Sequence, residues 1–217
     1  MKAAEILSHV DHTLLKQTAT WNDIQRICDE AVKYHTATVM VPSSYVPRIV
    51  AKYGKKLKVA TVVGFPNGNC NTAAKIAETA QALADGAEEI DMVINIGMLK
   101  AGETNYVTDE IRALKKLCGE RVLKVIVETC FLTKEEMIAA CACVTEGGAD
   151  FIKTSTGFGS AGAKLSDIEL FKKHIGPKVQ MKAAGGIHTR EEMEAFLAAG
   201  CTRLGASAAV KVLKDEL

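Results

Sequence analysis

Five charged side chains lie within short apolar runs that are typical of buried β-strands. Asp91 interrupts EIDMVI, Lys124 and Glu128 lie in LKVIVE, Lys153 ends DFIK and Lys182 ends VQMK. The strands of a parallel sheet that is covered on both faces are normally apolar, and burying an unpaired charge is costly. These five side chains are therefore predicted to be ion-paired or to face the open mouth of a site.

Two of these charges, Lys153 and Lys182, end consecutive strands. Neighbouring parallel strands lie about 4.8 Å apart, so lysines at matching heights bring their ammonium groups within about 6 Å. At an effective dielectric constant of about 20 the repulsion is about 2.8 kcal/mol, or about two pKa units. Burial lowers the pKa further. We therefore expect one lysine to titrate at about pH 8 and to act as a nucleophilic amine.

Three consecutive strands run into loops of small residues, at 154–159 (TSTGFG), 183–187 (AAGGI) and 205–207 (GAS). Small residues let backbone amides approach an anion, and Ser207 is predicted to stand at the start of the last helix, where amides favour phosphate. A tight turn explains any one of these loops, but three in a row favour a phosphate site.

A structural interpretation of the charges stays open at this point. Lys124 pairs with Glu128, or Lys153 with Asp91, in a buried network that only balances charge. Such a network does not explain why two lysines end adjacent strands directly before glycine-rich loops. A nucleophile beside a binding loop does explain this arrangement.

The elements that position these residues follow from the hydrophobic periodicity, because short β-branched runs alternate with amphipathic segments. The predicted strands cover residues 9–14, 36–41, 58–63, 89–94, 122–128, 150–154, 179–183 and 202–205. After a leading helix at 2–8, the predicted helices cover 21–34, 46–53, 73–85, 106–118, 134–146, 166–175 and 190–199, with a last one from 208.

Eight strand–helix units in 217 residues allow about 27 residues each, near the compact limit of a (β/α)8 barrel. Residues 1–217 are therefore predicted to form one α/β domain, a (β/α)8 TIM barrel with a short N-terminal helix. An open doubly wound sheet is the competing fold. Its nucleotide-binding form needs GxGxxG after the first strand, where this chain has DHTLLKQT.

The composition excludes several classes of protein. With 48% hydrophobic and 24% charged residues the chain is not a disordered one. Its 27 basic and 26 acidic residues give a net charge of +1, so no whole-chain bias favours nucleic acid or a membrane surface. No apolar stretch approaches the roughly 20 residues that span a bilayer. We expect partners among small molecules or copies of this chain, including a homodimer.

The seven cysteines and five histidines form no CxxC, HxxxH or HExxH pattern, so we expect no metal site and read the cysteines as reduced thiols. No secretory leader is evident at the N-terminus, and a cytoplasmic location is expected. The last four residues spell KDEL, a retention signal in secreted proteins that we interpret here as the end of a charged helix.

The motifs resemble those of a known family across nearly the whole chain. They are the segment from Asp11 to Thr13, then EIDMVINIG, LKVIVET, DFIKTSTGF, MKAAGGI and RLGAS. This chain is similar to the class I, Schiff-base 2-deoxyribose-5-phosphate aldolases, which are (β/α)8 barrels. The resemblance implies that Lys153 is the Schiff-base nucleophile. It implies proton-handling roles for Asp91 and Lys182, with Lys182 lowering the pKa of Lys153.

The resemblance also implies the substrate, 2-deoxyribose 5-phosphate, which the family cleaves to glyceraldehyde 3-phosphate and acetaldehyde in deoxyribose phosphate breakdown. It implies no cofactor and no metal. Asp11 and Thr156 match positions that line the sugar pocket. Two departures from the family pattern, Met40 near the end of strand two and Phe158 after the STG motif, concern the shape of the pocket and part of the phosphate contact. The residues that match the phosphate site are Gly157, Gly185, Gly186, Gly205 and Ser207.

Other functions stay open from the sequence. Another phosphate-binding barrel, either a different lysine aldolase or a sugar-phosphate isomerase, shares the loops, but an isomerase would more naturally use carboxylate or histidine pairs. A non-catalytic sugar-phosphate sensor would keep the pocket and lose turnover. The joint presence of Lys153, Lys182 and Asp91 disfavours that sensor.

Overall fold

The computed structural model describes residues 1–217, and its eight parallel strands close into a barrel in chain order from β1 to β8. This confirms the predicted (β/α)8 fold and excludes the open doubly wound sheet. The first strand pairs with the last, since Asp11 is the partner of Gly205. The strands are β1 Val10–Thr13, β2 Thr38–Val41, β3 Val59–Val63, β4 Glu89–Val93, β5 Val122–Ile126, β6 Phe151–Lys153, β7 Gln180–Ala184 and β8 Arg203–Ala206.

Ten helices surround the barrel, with 3-10 turns at Ser43–Tyr45, Gly54–Lys56, Thr129–Phe131 and Lys214–Glu216. The helices are α1 Ala3–Leu7, α2 Trp21–Tyr34, α3 Val46–Tyr53, α4 Thr72–Ala84, α5 Ile96–Lys100, α6 Thr104–Cys118, α7 Lys134–Glu146, α8 Leu165–His174, α9 Arg190–Ala199 and α10 Ala209–Leu213.

Three of these helices begin with a reciprocal capping box, in which a threonine hydroxyl accepts from the third helical N–H and an acidic side chain accepts in return. The caps are Thr20, Thr133 and Thr189. Caps of this kind stabilise a helix by about 1 kcal/mol. They fix where α2, α7 and α9 begin, and therefore how long the loops before them are.

The apolar core lies outside the barrel strands, between the sheet and its helices. It is one cluster of 50 buried residues. The interior of the barrel instead holds buried charged side chains from several strands. Four of the five charges that interrupt the predicted strands therefore point inward, namely Asp91, Lys124, Lys153 and Lys182, and the apolar residues between them point to the helices.

A buried ion pair that the sequence analysis did not predict lies on the outer side of the barrel. Lys75 on α4 donates to Glu110 on α6 at 2.8 Å and to the carbonyl of Val93 at 2.8 Å. Both side chains are fully buried. The pair joins two helices to the carboxyl end of β4.

None of the helices combines the length and the apolar composition that are needed to cross a membrane.

Candidate active site

The register of the barrel places three cations at one height. Lys153 on β6 is the Cα partner of Lys182 on β7, and Lys182 is the partner of Arg203 on β8. Asp91 on β4 pairs in the same way with Lys124 on β5. Paired residues of neighbouring parallel strands point to the same face, so these side chains meet inside the barrel.

Asp91 lies at the centre of the charges inside the barrel. Its Oδ1 accepts a hydrogen bond from Lys124 Nζ at 2.9 Å. Its Oδ2 accepts from Lys153 Nζ at 2.8 Å and from Lys182 Nζ at 2.7 Å. Asp91, Lys124 and Lys182 are fully buried, and Lys153 is 3% exposed. One carboxylate therefore contacts three lysines.

A second set of contacts lies around Asp11. The Arg203 guanidinium donates to Asp11 Oδ1 at 2.6 Å and to Glu89 Oε2 at 2.8 Å, and Lys182 donates to Asp11 Oδ2. The Thr38 hydroxyl donates to Asp11 Oδ1 at 2.8 Å. We call the connected ionic side chains the charge network; its members are Asp11, Glu89, Asp91, Lys124, Lys153, Lys182 and Arg203.

The charge network contains three carboxylates and four cations, so it carries one surplus positive charge when every group is ionised. Lys124 contacts three carboxylates, Lys182 contacts two and Lys153 contacts one. The least compensated ammonium loses its proton most easily. The network is therefore neutral when Lys153 is a free amine.

The pKa values of Lys153 and Lys124 agree with this difference in compensation. Burial lowers the pKa of Lys153 most, Asp91 raises it, and Lys182 lowers it again, so that it falls from an ordinary 10.5 to about 8. Burial also works to lower the pKa of Lys124, but three carboxylates raise it above its ordinary value. Burial works to raise the pKa of Asp91, yet the surrounding lysines hold it well below its usual range. Burial therefore lowers the pKa of Lys153 more than the repulsion by Lys182, which was expected from the sequence to be the main cause.

Replacing Lys182 by methionine is expected to raise the pKa of Lys153, because a like charge is removed from its surroundings. Less neutral amine is then present at pH 7, and imine formation slows by about tenfold for each unit of increase. The rate of borohydride trapping with acetaldehyde, measured against pH, checks this prediction. Lys173→Met on the exposed face of α8 is the control. An unchanged pH profile for Lys182→Met would refute the electrostatic argument.

A cavity of about 380 Å³ opens above the charge network at the carboxyl ends of the strands. Lys153 is the only network member that lines it. The other lining residues predicted from the sequence are Thr156, Gly157, Gly185, Gly186, Gly205 and Ser207. Asp11, which the resemblance placed at the sugar pocket, lies below the cavity in the charge network and not among its lining residues.

The glycine-rich loops around this cavity depend on glycine for two reasons. Gly157, Gly185 and Gly186 have φ values of 85°, 81° and 73°, a region that L side chains rarely adopt. At Gly205 an added Cβ would lie 2.8 Å from Ala184 Cβ. Without side chains, the backbone at these four positions stays open to a ligand, as an anion site needs.

Glu128 does not pair with Lys124, so that proposed ion pair is wrong. Glu128 has φ 54°, a left-handed conformation for a residue other than glycine, and this breaks the alternation on which the pairing was based. Its buried carboxylate accepts hydrogen bonds from the backbone N–H of Thr156, at 3.1 Å, and from the Thr156 hydroxyl. The hydroxyl accepts from Phe158 N–H at 3.0 Å. Glu128 therefore holds the loop that lines one side of the cavity.

Glu128→Gln is expected to raise KM by about 3- to 10-fold with a smaller change in kcat, because a neutral amide holds Thr156 less firmly than a carboxylate does. Steady-state kinetics on the variant check this result. Glu135→Gln, on an exposed part of α7, is the matched control. A fall in kcat alone, with KM unchanged, would contradict the positioning role.

Three residues near the site were missed by sequence reasoning. Glu89 and Arg203 are the first residues of β4 and β8. A charged residue at that position of a strand is usually exposed to solvent, so neither was predicted to belong to the site. Lys16 lines the cavity from the loop between β1 and α2. No cluster of three or more His, Cys, Asp or Glu side chains suited to a metal ion is present.

Comparison with known proteins bears on this arrangement. A family model described as "DeoC/LacD family aldolase" matches residues 6–211. The chain belongs to this aldolase family. It is 61% identical over 216 residues to a deoxyribose-phosphate aldolase of Clostridium botulinum, covering 100% of this chain and 98% of that protein. It is 51% identical to a deoxyribose-phosphate aldolase of Streptococcus pyogenes, covering 100% and 97%.

The fold of this aldolase family member also matches solved structures. A deoxyribose phosphate aldolase from Aeropyrum pernix superposes with a TM-score of 0.92 at 28% identity, over 99% of this chain and 92% of that one. The match covers the whole barrel, including the strands that carry the charge network. The family resemblance read from the lysine motifs is thus confirmed.

Proposed function

We propose that this chain is a class I aldolase that cleaves 2-deoxy-D-ribose 5-phosphate reversibly to D-glyceraldehyde 3-phosphate and acetaldehyde. One observation supports the proposal above the others. Lys153, with a pKa of about 8, is the only member of the charge network that reaches the cavity. An amine that is neutral in part at pH 7 and open to a ligand is the nucleophile that Schiff-base chemistry requires. The similarity to named deoxyribose-phosphate aldolases gives the substrate.

The first step forms a carbon–nitrogen bond. The lone pair of Lys153 Nζ attacks C1 of the open-chain aldehyde, and the carbonyl oxygen takes up a proton. The resulting carbinolamine loses water when a second proton reaches that oxygen, and the nitrogen lone pair closes the C=N bond of an iminium. Asp91 Oδ2 contacts both Lys153 and Lys182. We therefore assign these proton transfers to Asp91 and Lys182. The negative Asp91 also favours the positive iminium.

The second step breaks the C2–C3 bond. A proton leaves the C3 hydroxyl, the C3–O bond becomes a carbonyl, and the C2–C3 electrons move to form an enamine on the Lys153 nitrogen. Glyceraldehyde 3-phosphate departs. Protonation of C2 gives the acetaldehyde iminium, and one water molecule hydrolyses it to acetaldehyde and free Lys153. The water released in the first step balances the one consumed here, and no electron donor or metal takes part.

The phosphate end of the substrate is assigned to the glycine-rich loops. Gly185, Gly186, Gly205 and Ser207 lie on the lining of the same cavity as Lys153. Their backbone amides suit a phosphate, and Ser207 precedes the short helix α10. Gly162 packs against the loop, since an added Cβ there would lie 2.2 Å from the Gly185 carbonyl oxygen.

The proposal treats residues 1–217 as one catalytic barrel that works in the cytoplasm in deoxyribose phosphate breakdown. The proposed partners of the protein are the sugar phosphate, the two aldehydes and other copies of the chain. Nucleic acid, a membrane and a cofactor are not among them. The Aeropyrum pernix structure is described as a tetramer; for this chain a homodimer is proposed. The mass in solution, from light scattering, decides between the monomer and the dimer.

The proposed activity is tested by incubating the purified protein with 2-deoxyribose 5-phosphate and measuring both products. Acetaldehyde and glyceraldehyde 3-phosphate are expected in equal amounts, and the activity is expected to survive a metal chelator. An isomerase would convert the substrate without releasing acetaldehyde, and a sensor would bind it without turnover. Either outcome would contradict the proposal.

A further inference from the structure

We propose that Lys16 binds the phosphate of the substrate and sets the preference of the enzyme for phosphorylated over unphosphorylated sugars. The inference rests on the proposed function and adds a specificity-determining residue to it. Lys16 lies in the loop between β1 and α2 and is exposed at the mouth of the barrel. It lines the cavity that also holds Lys153, Gly185 and Ser207.

All the formal charges on the cavity wall are positive. Among its lining residues there are two lysines, Lys16 and Lys153, and no carboxylate. The Lys153 nitrogen is occupied by the covalent bond to C1 during turnover, so it is not available to the phosphate at the far end of the substrate. Phe158, on another part of the wall, is apolar and packs edge-on against Phe65 with ring centres 5.3 Å apart. Lys16 is therefore the lysine that remains for the phosphate.

Lys16 also lines two neighbouring cavities, each of which contains one carboxylate. Both carboxylates are already bonded elsewhere. Glu78 accepts from the backbone N–H of Gly64 at 2.8 Å, and Glu30 contacts His12 Nε2 at 2.7 Å. The Lys16 ammonium therefore has no competing anion committed to it within the protein, which leaves it free to contact a dianionic ligand.

The loop that carries Lys16 is braced at several points. Its start is tied to β2 by the Leu14 N–H, which donates to the Met40 carbonyl at 2.9 Å. The Lys16 carbonyl accepts from Ala19 N–H at 3.0 Å, which closes a turn. The Tyr45 hydroxyl donates to the Ala19 carbonyl at 2.7 Å. Because its backbone is fixed in this way, Lys16 loses less conformational entropy when it binds a phosphate.

The test compares phosphorylated and unphosphorylated substrates in Lys16→Gln. KM for 2-deoxyribose 5-phosphate is expected to rise by about 10- to 100-fold, the loss typical of a charge-assisted hydrogen bond, with kcat little changed. Cleavage of unphosphorylated 2-deoxyribose is expected to change by less than about threefold. Inorganic phosphate should inhibit the variant more weakly than the wild type, and Lys16→Arg should retain most of the affinity.

Lys211→Gln is the matched control, because it removes the same charge from an exposed residue beside Lys16 that does not line the catalytic cavity. Its KM should stay close to that of the wild type. The inference is overturned if Lys16→Gln leaves KM for the phosphorylated sugar unchanged. It is also overturned if both substrates lose activity equally. Failure of the wild type to release acetaldehyde would instead contradict the proposed function.

Discussion

Lys153→Met is expected to reduce turnover of 2-deoxyribose 5-phosphate by about 10⁴-fold or more, because it removes the only lysine of the cavity wall that also belongs to the charge network and has a lowered pKa. Methionine keeps most of the side-chain volume and removes the one cation that the charge network can lose without a charge deficit, so the barrel should remain folded. Circular dichroism and steady-state kinetics measure both effects.

Borohydride trapping tests the same role of Lys153 by identifying which lysine forms the imine. Wild-type protein incubated with acetaldehyde and borohydride should carry an ethyl group on Lys153, found by peptide mass spectrometry. Lys124 and Lys75 are internal controls, since both are buried and paired with carboxylates. An adduct confined to another lysine, or trapping that persists in Lys153→Met, would remove Lys153 from the mechanism.

Asp91→Asn is expected to lower kcat by about 10²- to 10⁴-fold, the range for loss of a general acid or base. The variant separates proton transfer from nucleophile activation. Asp91 is the group that raises the pKa of Lys153, so its loss lowers that pKa and leaves more neutral amine at pH 7. The midpoint of the pH profile for borohydride trapping should therefore move to lower pH, while the maximal trapping rate and turnover both fall. A midpoint that stays unchanged or moves to higher pH would contradict this assignment.

The same variant should be less stable by about 3–5 kcal/mol, because breaking a buried ion pair leaves uncompensated charge. A lysine whose folded pKa lies below its unfolded value destabilises the native state at low pH, and the penalty is relieved as pH rises through the folded pKa towards the unfolded one. Asp91→Asn should therefore be more stable to urea at pH 9 than at pH 6 relative to the wild type.

A compensated variant controls for simple unfolding. Asp91→Asn combined with Lys124→Met removes one cation along with the carboxylate, so it should recover part of the lost stability. Turnover should stay low, because the proton-transfer group is still missing. Recovery of turnover together with stability would show that Asp91 acts only through charge balance.

Much of the fold could be predicted from the sequence because the strands are buried on both faces. Runs such as VATVV in β3 contain no charged residue, and capping residues such as Thr20 mark the helix starts. Helix α5 was missed, since Ile96–Lys100 is only five residues long and is separated by only two residues from the end of β4 at Val93. Its Asn95 cap was the one local signal.

The lysines of the site could be predicted because a charge inside an apolar strand is rare, and strand alternation indicates which face it shares. Of their partners, only Asp91 as a partner of Lys153 was among the proposed pairs, and the structure confirms it. The choice of carboxylate depends on register between strands distant in the chain, as for Arg203 and Glu89. At Glu128 a left-handed backbone turned the side chain to Thr156. Lys16 was missed because it lies in an exposed loop, where charged residues are common and a lysine does not indicate a site.

The charge network joins side chains from six of the eight strands, and its Asp11–Arg203 pair is 192 residues apart in the chain. A barrel that lacks its last strand would leave Asp11 and Glu89 without Arg203, and buried unpaired charges penalise such partly formed states. Folding should therefore be strongly cooperative at the final closure. The low pKa of Lys153 exists only in the closed barrel. The amount of imine trapped on Lys153 during refolding should therefore be proportional to the fraction of molecules that have reached the native state.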